Sequence, residues 1–309
     1  MGDGCSDAVR RWCASELGAE TLESVPLGGQ VSEVYRLALS DGRDVVLKIR
    51  DTAPARATAC LEAQAFVAGR GFPAPRPLTG TAGIDGRIVH VEEWRPEGVV
   101  RDENSERGAQ AAAQLLASLM SILAEYEPRT PPLPNPDWVA WDYAGPGEWP
   151  GHPMLDPLPP RPLTGFIAET ASRVRRRMGR VRLPSVVGHL DWEAQNLRWD
   201  PALDHAVVVH DWDSVGHLPE AAVAGAAAGA FASNEVPTLA PLPSSAAFLE
   251  TYQAARGRAF TRDEIEVAWA ASLWPAIHNA RGEFLLGARP VASEQLELQA
   301  QERLRLAHA

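Results

Sequence analysis

Hydrophobic positions alternate through much of the first third of the chain and recur at helical spacing through much of the rest. After a short helix predicted near Val9 to Leu17, LGGQVSEVYRLALSDGRDVVLKIR reads as two strands joined at Asp41-Gly42. A further alternating strand, GRIVHVEEW, follows the Asp85-Gly86 turn. Between them, ATACLEAQAFVAGRG carries Leu61, Ala65 and Ala68 as an apolar stripe that Gly69 and Gly71 terminate, and FPAPRPL is a proline-stiffened connection. Leu115, Leu116, Leu119, Ile122 and Leu123 predict a helix within Ser105 to Tyr126, and Ala206 to Val209 reads as a strand. VAGAAAGAF predicts a small-residue helix that only close packing can hold, because glycine lowers its intrinsic stability. Thr261 and Glu264 form a capping-box signal ahead of IEVAWAASLWPAIHNARGEF, which reads as one nearly all-buried helix.

The segment Pro128 to Pro162 fits neither spacing. It holds twelve of the chain's 26 prolines, which argues against regular structure, yet Trp138, Trp141, Tyr143 and Trp149 are too aromatic for a disordered linker. An ordered, proline-rigid insert is the consistent reading. Its tryptophans serve either to pack it onto the body or to offer faces for a cationic ligand beside Asp137, Asp142, Glu148 and Asp156.

At 309 residues the chain is long enough for a large domain or two lobes, expected as a monomer or homodimer. A net charge of -11 and the lack of a long basic run argue against nucleic acid as a partner. The dense basic cluster, Arg173, Arg175, Arg176, Arg177 and Arg180, reads as a solvated helix face. Cys5, Cys13 and Cys60 are odd in number and lack metal-ligand spacing. With no signal core and no apolar run of membrane-spanning length, a reducing cytoplasm is expected and a membrane partner is not.

Chemistry concentrates between Gly188 and Asp213. GHLDWEAQNLRWD sets His189, Asp191 and Asn196 in one loop, and the strand that follows ends in Asp211-Trp212-Asp213. A carboxylate on such a loop can take a hydroxyl proton, while an amide oxygen and a second carboxylate are hard ligands suited to magnesium. The spacing H-x-D-x-x-x-x-N followed by D-W-D resembles the aminoglycoside phosphotransferase and choline kinase superfamily, built like a protein kinase. That resemblance implies a two-lobed α+β fold, with residues 1–93 as a β-rich nucleotide-binding N-lobe. Residues 94–309 would form a mostly helical C-lobe with the insert at about 128–162. It makes Asp191 the base, lets His189 support the loop, and gives metal to Asn196 and Asp211 with Asp213 assisting.

Lys48 lies inside VVLKIR, where a lysine needs an anionic partner. By the resemblance Lys48 binds the α- and β-phosphates of a nucleotide and Glu62 orients it. Gly28, Gly29 and Ser32 form a loop small enough for backbone amides to approach phosphate, although paired glycines serve a hairpin equally well. The same resemblance implies that Glu92, Glu93 and Trp94 form the hinge whose backbone meets adenine. ATP with magnesium is the expected cofactor pair, GTP not being separable.

Two departures stand out. Family members commonly read H-G-D-L-H-P-G-N, whereas Trp192, Glu193 and Gln195 occupy the small and proline positions here. The usual later brace aspartate is missing, leaving Glu220 as the nearby acid. Carboxylates and aromatics around the loop favour a cationic or amino-sugar hydroxyl acceptor, as in antibiotic-modifying kinases, contacted by Trp192, Glu193, Asp142, Trp141, His278 and Glu283. Choline, homoserine and sugar kinases share the scaffold. A nucleotide-binding pseudokinase is the alternative from another class, opposed by the intact Asp191, Asn196 and Asp211.

Overall fold

A computed structural model of the chain describes residues 6–29, 32–101, 103–141, 143, 149–151, 155–157, 165–202, 204–233 and 238–309. Its first sheet is antiparallel: β1 (Thr21–Gly28), β2 (Ser32–Leu39), β3 (Asp44–Arg50), β4 (Ala82–Ile84) and β5 (Arg87–Glu93), in the order β1-β2-β3-β5-β4. Period-two alternation divides β3 between two environments. Val45, Leu47 and Ile49 join Leu37 and Leu39 of β2, Val89 and Val91 of β5, and Val9 and Cys13 of helix α1 (Asp7–Leu17) in one apolar cluster. Lys48 and Arg50 take the opposite face with His90 and Glu92 of β5, and all four are buried. That charged face looks toward Asp213.

The longest strand absent from the sequence reading is β1. It lies at the sheet's edge, mostly exposed, and contains Pro26, so it shows no alternating apolar face. Asp85 and Gly86, both at positive φ, turn β4 into β5 as the sequence predicts. Helix α2 (Pro54–Gly69) then places Cys60, Ala63 and Val67 in the larger core, which extends through the rest of the chain.

The sheet ends at Glu93, and the next paired residues, β6 (Val99–Val100), belong to a separate sheet with β8 (Leu197–Trp199) and β9 (Ala206–Val209). Helix α3 (Glu106–Leu123) starts on a Ser105 cap and buries the predicted Leu116, Leu119 and Leu123. Helix α4 (Phe166–Gly179) leads to β7 (Ser185–His189), which pairs antiparallel with β10 (Val215–Pro219). Five helices follow: α5 (Glu220–Ala230), α6 (Leu242–Ala255), α7 (Arg262–Ala271), α8 (Trp274–Leu286) and α9 (Val291–Leu306).

Close packing of the small-residue helix is explicit. A Cβ on Gly225 or Gly229 of α5 would lie 2.1 Å from the carbonyl oxygen of Ala268 or Ser272. The capping box at Thr261 and Glu264 forms, but the single helix expected after it is two, because Pro275 in the first turn of α8 cannot continue α7. In the insert, the described residues pack as ordered chain. Asp137–Val139 makes one helical turn, and Trp138 and Trp149 lie against the larger core. The arginine cluster is more than a solvated face. Arg173 donates to Ala309 O, Arg175 to Trp141 O, and buried Arg177 to Ala307 O and Glu266. No helix among the described residues is long and apolar enough to cross a membrane.

Candidate active site

Strand pairing assembles the site. β7 delivers the chain to Leu190, whose N–H donates to Ser214 O at 3.1 Å, and the β8–β9 hairpin returns it so that His210 N–H donates to Asn196 O at 2.8 Å. These bonds bring residues twenty apart in sequence (191 and 211) together. Asn196 Nδ2 donates to Asp191 Oδ2 at 2.7 Å and to Asp191 O at 3.0 Å, which directs its amide oxygen away from the base. Asp211 takes a left-handed conformation, φ 58° and ψ 53°, that aspartate tolerates better than most residues. Its Oδ2 accepts from Ser214 Oγ at 2.6 Å, and its carboxyl lies within hydrogen-bonding reach of Asp191.

His189 bonds the loop to the end of β9. Its Nε2 lies 2.9 Å from His210 O and must donate there, which leaves Nδ1 to accept from the Asp191 N–H at 3.3 Å. Burial lowers its pKa, consistent with a neutral ring held edge-on to Trp192 and Trp212, each 5.5 Å away. A further support comes from Trp138, whose indole N–H donates to Leu190 O at 3.0 Å. Asn135 receives the His217 N–H at 2.7 Å, bonding the insert to β10.

Three acids crowd this loop. Burial, followed by the charges of Glu193 and Asp211, raises the Asp191 pKa well above the usual carboxylate range. Burial pushes Glu193 to about 7, with Asp211 adding to the effect and the Gln195 amide, 2.8 Å from its carboxylate, opposing it. Among the described residues no group of three or more His, Cys, Asp or Glu is placed to hold a metal. Magnesium commonly takes only one or two protein carboxylates with phosphates and water, so Asp211 and the Asn196 amide oxygen suit it.

Across the cleft, the expected pair between Lys48 and Glu62 is not made. Lys48 Nζ lies 3.3 Å from Glu92 Oε1 and 3.8 Å from Asp213 Oδ2, whereas Glu62 is half-buried on α2. The reason is geometric. Glu92 lies two residues along β5 from His90, the cross-strand partner of Lys48, and so on the same face, whereas α2 offers Gln64, which donates to Glu92 Oε2 at 2.7 Å. Burial would lower the Lys48 pKa, but Asp213, Glu92 and Asp211 outweigh it and hold the pKa above its ordinary value. Burial would raise Glu92, but Lys48 foremost brings it down to about 2.

Asp213, expected to assist metal, instead receives Arg50 Nη1 on Oδ1 and Ser32 Oγ on Oδ2 at 3.0 Å. Ser32 is thereby engaged with the D-W-D turn. Gly28 and Gly29 form the tip of the β1–β2 hairpin, and a Cβ on Gly29 would lie 2.0 Å from Ser32 O. The backbones of Glu92 and Glu93 are committed to the sheet: Glu92 bridges to Pro77 and Glu93 N–H donates to Arg76 O at 2.9 Å. The segment crossing to β6 therefore begins at Trp94, not Glu92.

Half of the expected acceptor set is engaged elsewhere. Trp192 is 1% exposed, and its indole donates to Ala112 O at 3.1 Å inside the core. Trp141 is buried edge-on against Trp274 and borders a cavity of about 460 Å³ beside α4. Glu283 caps α9, accepting from Ala292 N at 2.6 Å and Ser293 N at 2.9 Å. Glu220 does not brace the catalytic loop; Tyr252 and Arg256 donate to it from α6. His278 is half-buried on α8, which packs against the Asp137–Val139 turn, and Asp142 lies outside the described residues. Glu193 remains beside Asp191. Sequence reasoning missed Arg50 and Asn135 and left Trp138 between packing and ligand contact; Arg50 carried a signal, a second charge two residues after Lys48 in the same apolar strand.

A family model described as "Phosphotransferase enzyme family" matches residues 23–266. A search of curated proteins finds no significant match. Among solved structures, the amicoumacin kinase hAmiN, in complex with AMP-PNP, Ca2+ and Ami, superposes with a TM-score of 0.65 at 12% identity, over 91% of this chain and 88% of that one. A microcompartment-associated aminopropanol kinase gives 0.57 at 14% identity, over 94% and 89%. An aminoglycoside-3'-phosphotransferase of type VIII gives 0.53 at 21% identity, over 86% and 96%. These likenesses show the two-lobed kinase-like fold.

Proposed function

This chain belongs to the phosphotransferase enzyme family, and we propose that it moves the γ-phosphoryl group of ATP onto the hydroxyl of an amine-bearing small molecule. The observation that carries the reading is the convergence of Asp191, Asn196 and Asp211 on one loop, opposite Lys48. Asp191 takes or positions the acceptor's hydroxyl proton, and its elevated pKa suits a group that must hold it as the new O–P bond forms. His189 and Trp138 fix the loop's backbone, so the carboxylate is aimed before substrate arrives. Lys48 contacts the phosphates, and Ser32 and the glycine tip lie over them. A magnesium ion held by Asn196 and Asp211 would supply charge neutralisation to the phosphate oxygens.

What supports an amine on the acceptor is Glu193. Its half-buried carboxylate lies beside Asp191, with only the neutral Gln195 amide among its named hydrogen-bond partners. An ammonium there would stabilise its charged form and relieve the crowding of three acids. Amino-sugar antibiotics and small amino alcohols both combine this amine with a hydroxyl, and the carboxylates around the loop favour the antibiotic type. The test is an ATP-consumption panel of amino sugars, amino alcohols, neutral sugars and anionic alcohols. Amine-bearing acceptors should turn over, with Asp191→Asn lowering kcat by roughly 10² or more and Glu193→Gln raising acceptor KM. Turnover confined to neutral or anionic acceptors would refute the amine.

A further inference from the structure

The D-W-D turn sends its three side chains in three directions. The left-handed backbone at Asp211 and the helical turn that follows aim Asp211 at the catalytic loop, bury Trp212 in the core, and send Asp213 across to the first sheet. We infer that Asp213 is a strut joining the two lobes rather than a metal ligand, and that Arg50 is the positioning residue that holds it and, through it, aims Lys48. This deepens the kinase reading and rests on it.

Both oxygens of Asp213 are already engaged. Oδ1 is bound by Arg50, and Oδ2 accepts from Ser32 Oγ at 3.0 Å with Lys48 Nζ at 3.8 Å. The backbone oxygen of the same residue accepts from Arg56 Nη2 at 2.9 Å and from the Cys60 thiol at 3.8 Å, both on α2. Contacts from β2, β3 and α2 thus converge on one residue of the catalytic segment. Arg50 is in turn fixed from behind by His90 Nδ1, 2.9 Å from its Nη2.

Charge balance points the same way. The buried layer holds two certain cations, Lys48 and Arg50, and two carboxylates, Glu92 and Asp213. Drawing Asp213 to a metal would strand the Arg50 guanidinium, whose Nε already lacks a partner and whose side chain is 5% exposed. Asp213 and Glu92 together therefore take the orienting role that Glu62 does not fill. The two Nη atoms of Arg50 are themselves taken, by Asp213 and by His90.

The test uses the full chain with AMP-PNP and Mn2+, reading Mn2+ affinity by electron paramagnetic resonance and nucleotide affinity by calorimetry. Asp211→Asn should weaken Mn2+ binding by roughly 10² and Asp213→Asn by less than about threefold, since only the former is a hard oxygen ligand. Asp213→Asn and Arg50→Met should each weaken AMP-PNP roughly tenfold, the double variant no more than either, because residues acting as one unit are not additive. Arg50→Lys should recover part of the loss and, keeping the charge, guards against misfolding of the methionine variant. Mn2+ loss in Asp213→Asn equal to that in Asp211→Asn, or additive effects of Arg50 and Asp213, would overturn the strut. If wild type bound neither Mn2+ nor AMP-PNP, or Asp211→Asn left Mn2+ binding unchanged, the kinase reading of the site would fall instead.

Discussion

Replacing Glu92 by Gln removes the buried carboxylate nearest Lys48 while keeping its shape. At 3.3 Å and an effective dielectric of about 20, the gross attraction is about 5 kcal/mol, which desolvation of both groups reduces. The net value follows from titration. Glu92 is held at about 2 against an ordinary 4.5, a difference worth about 3 kcal/mol at neutral pH. Because its folded-state pKa is depressed, this stabilisation is complete above pH 4.5 and disappears as pH falls through about 2. Urea denaturation of both proteins from pH 7 to pH 2 should therefore show a gap of about 3 kcal/mol that closes on the acid side. Glu62→Gln is the control, with an expected cost below about 0.5 kcal/mol, as for a substitution outside any buried network. Equal losses for the two variants, or a Glu92 gap independent of pH, would refute the assignment of Lys48 to Glu92.

Other substitutions probe the remaining supports. Trp192→Phe should cost roughly 1–3 kcal/mol of stability by losing the indole bond to Ala112 O and leaving space where the larger ring packed, and leave acceptor KM unchanged, as thermal melts and steady-state kinetics would check. Trp138→Phe, losing the bond to Leu190 O, should lower kcat roughly tenfold with AMP-PNP affinity retained by calorimetry. Gly225→Ala drives a methyl into Ala268 O and should cost roughly 1–3 kcal/mol or more. Gly282→Ala in α8, where a Cβ meets nothing within 4 Å, should stabilise by roughly 0.5–1 kcal/mol; melting temperatures would separate the two glycines.

Local rules determined much of this protein. Alternation set β2, β3 and β5, helical spacing set α3, the Thr261–Glu264 box opened α7, and the D-x-x-x-x-N and D-W-D spacings located the two segments around which the site is proposed. Each depends on neighbours within a few residues, so it is written in the chain order. Partner choice is different, because it depends on which surfaces meet after folding. Lys48 in an apolar strand required a carboxylate, and nothing local distinguished Glu62 on the next helix from Glu92 across the sheet or Asp213 more than 160 residues away. Trp192, Trp141 and Glu283 looked like ligand contacts because aromatic and acidic side chains serve recognition and packing alike. Tertiary structure decided for packing, with an indole bonded inside the core, a ring edge-on to Trp274 and a carboxylate capping α9. The residue types fixed what chemistry was available; burial and cross-chain geometry alone decided which charges faced one another.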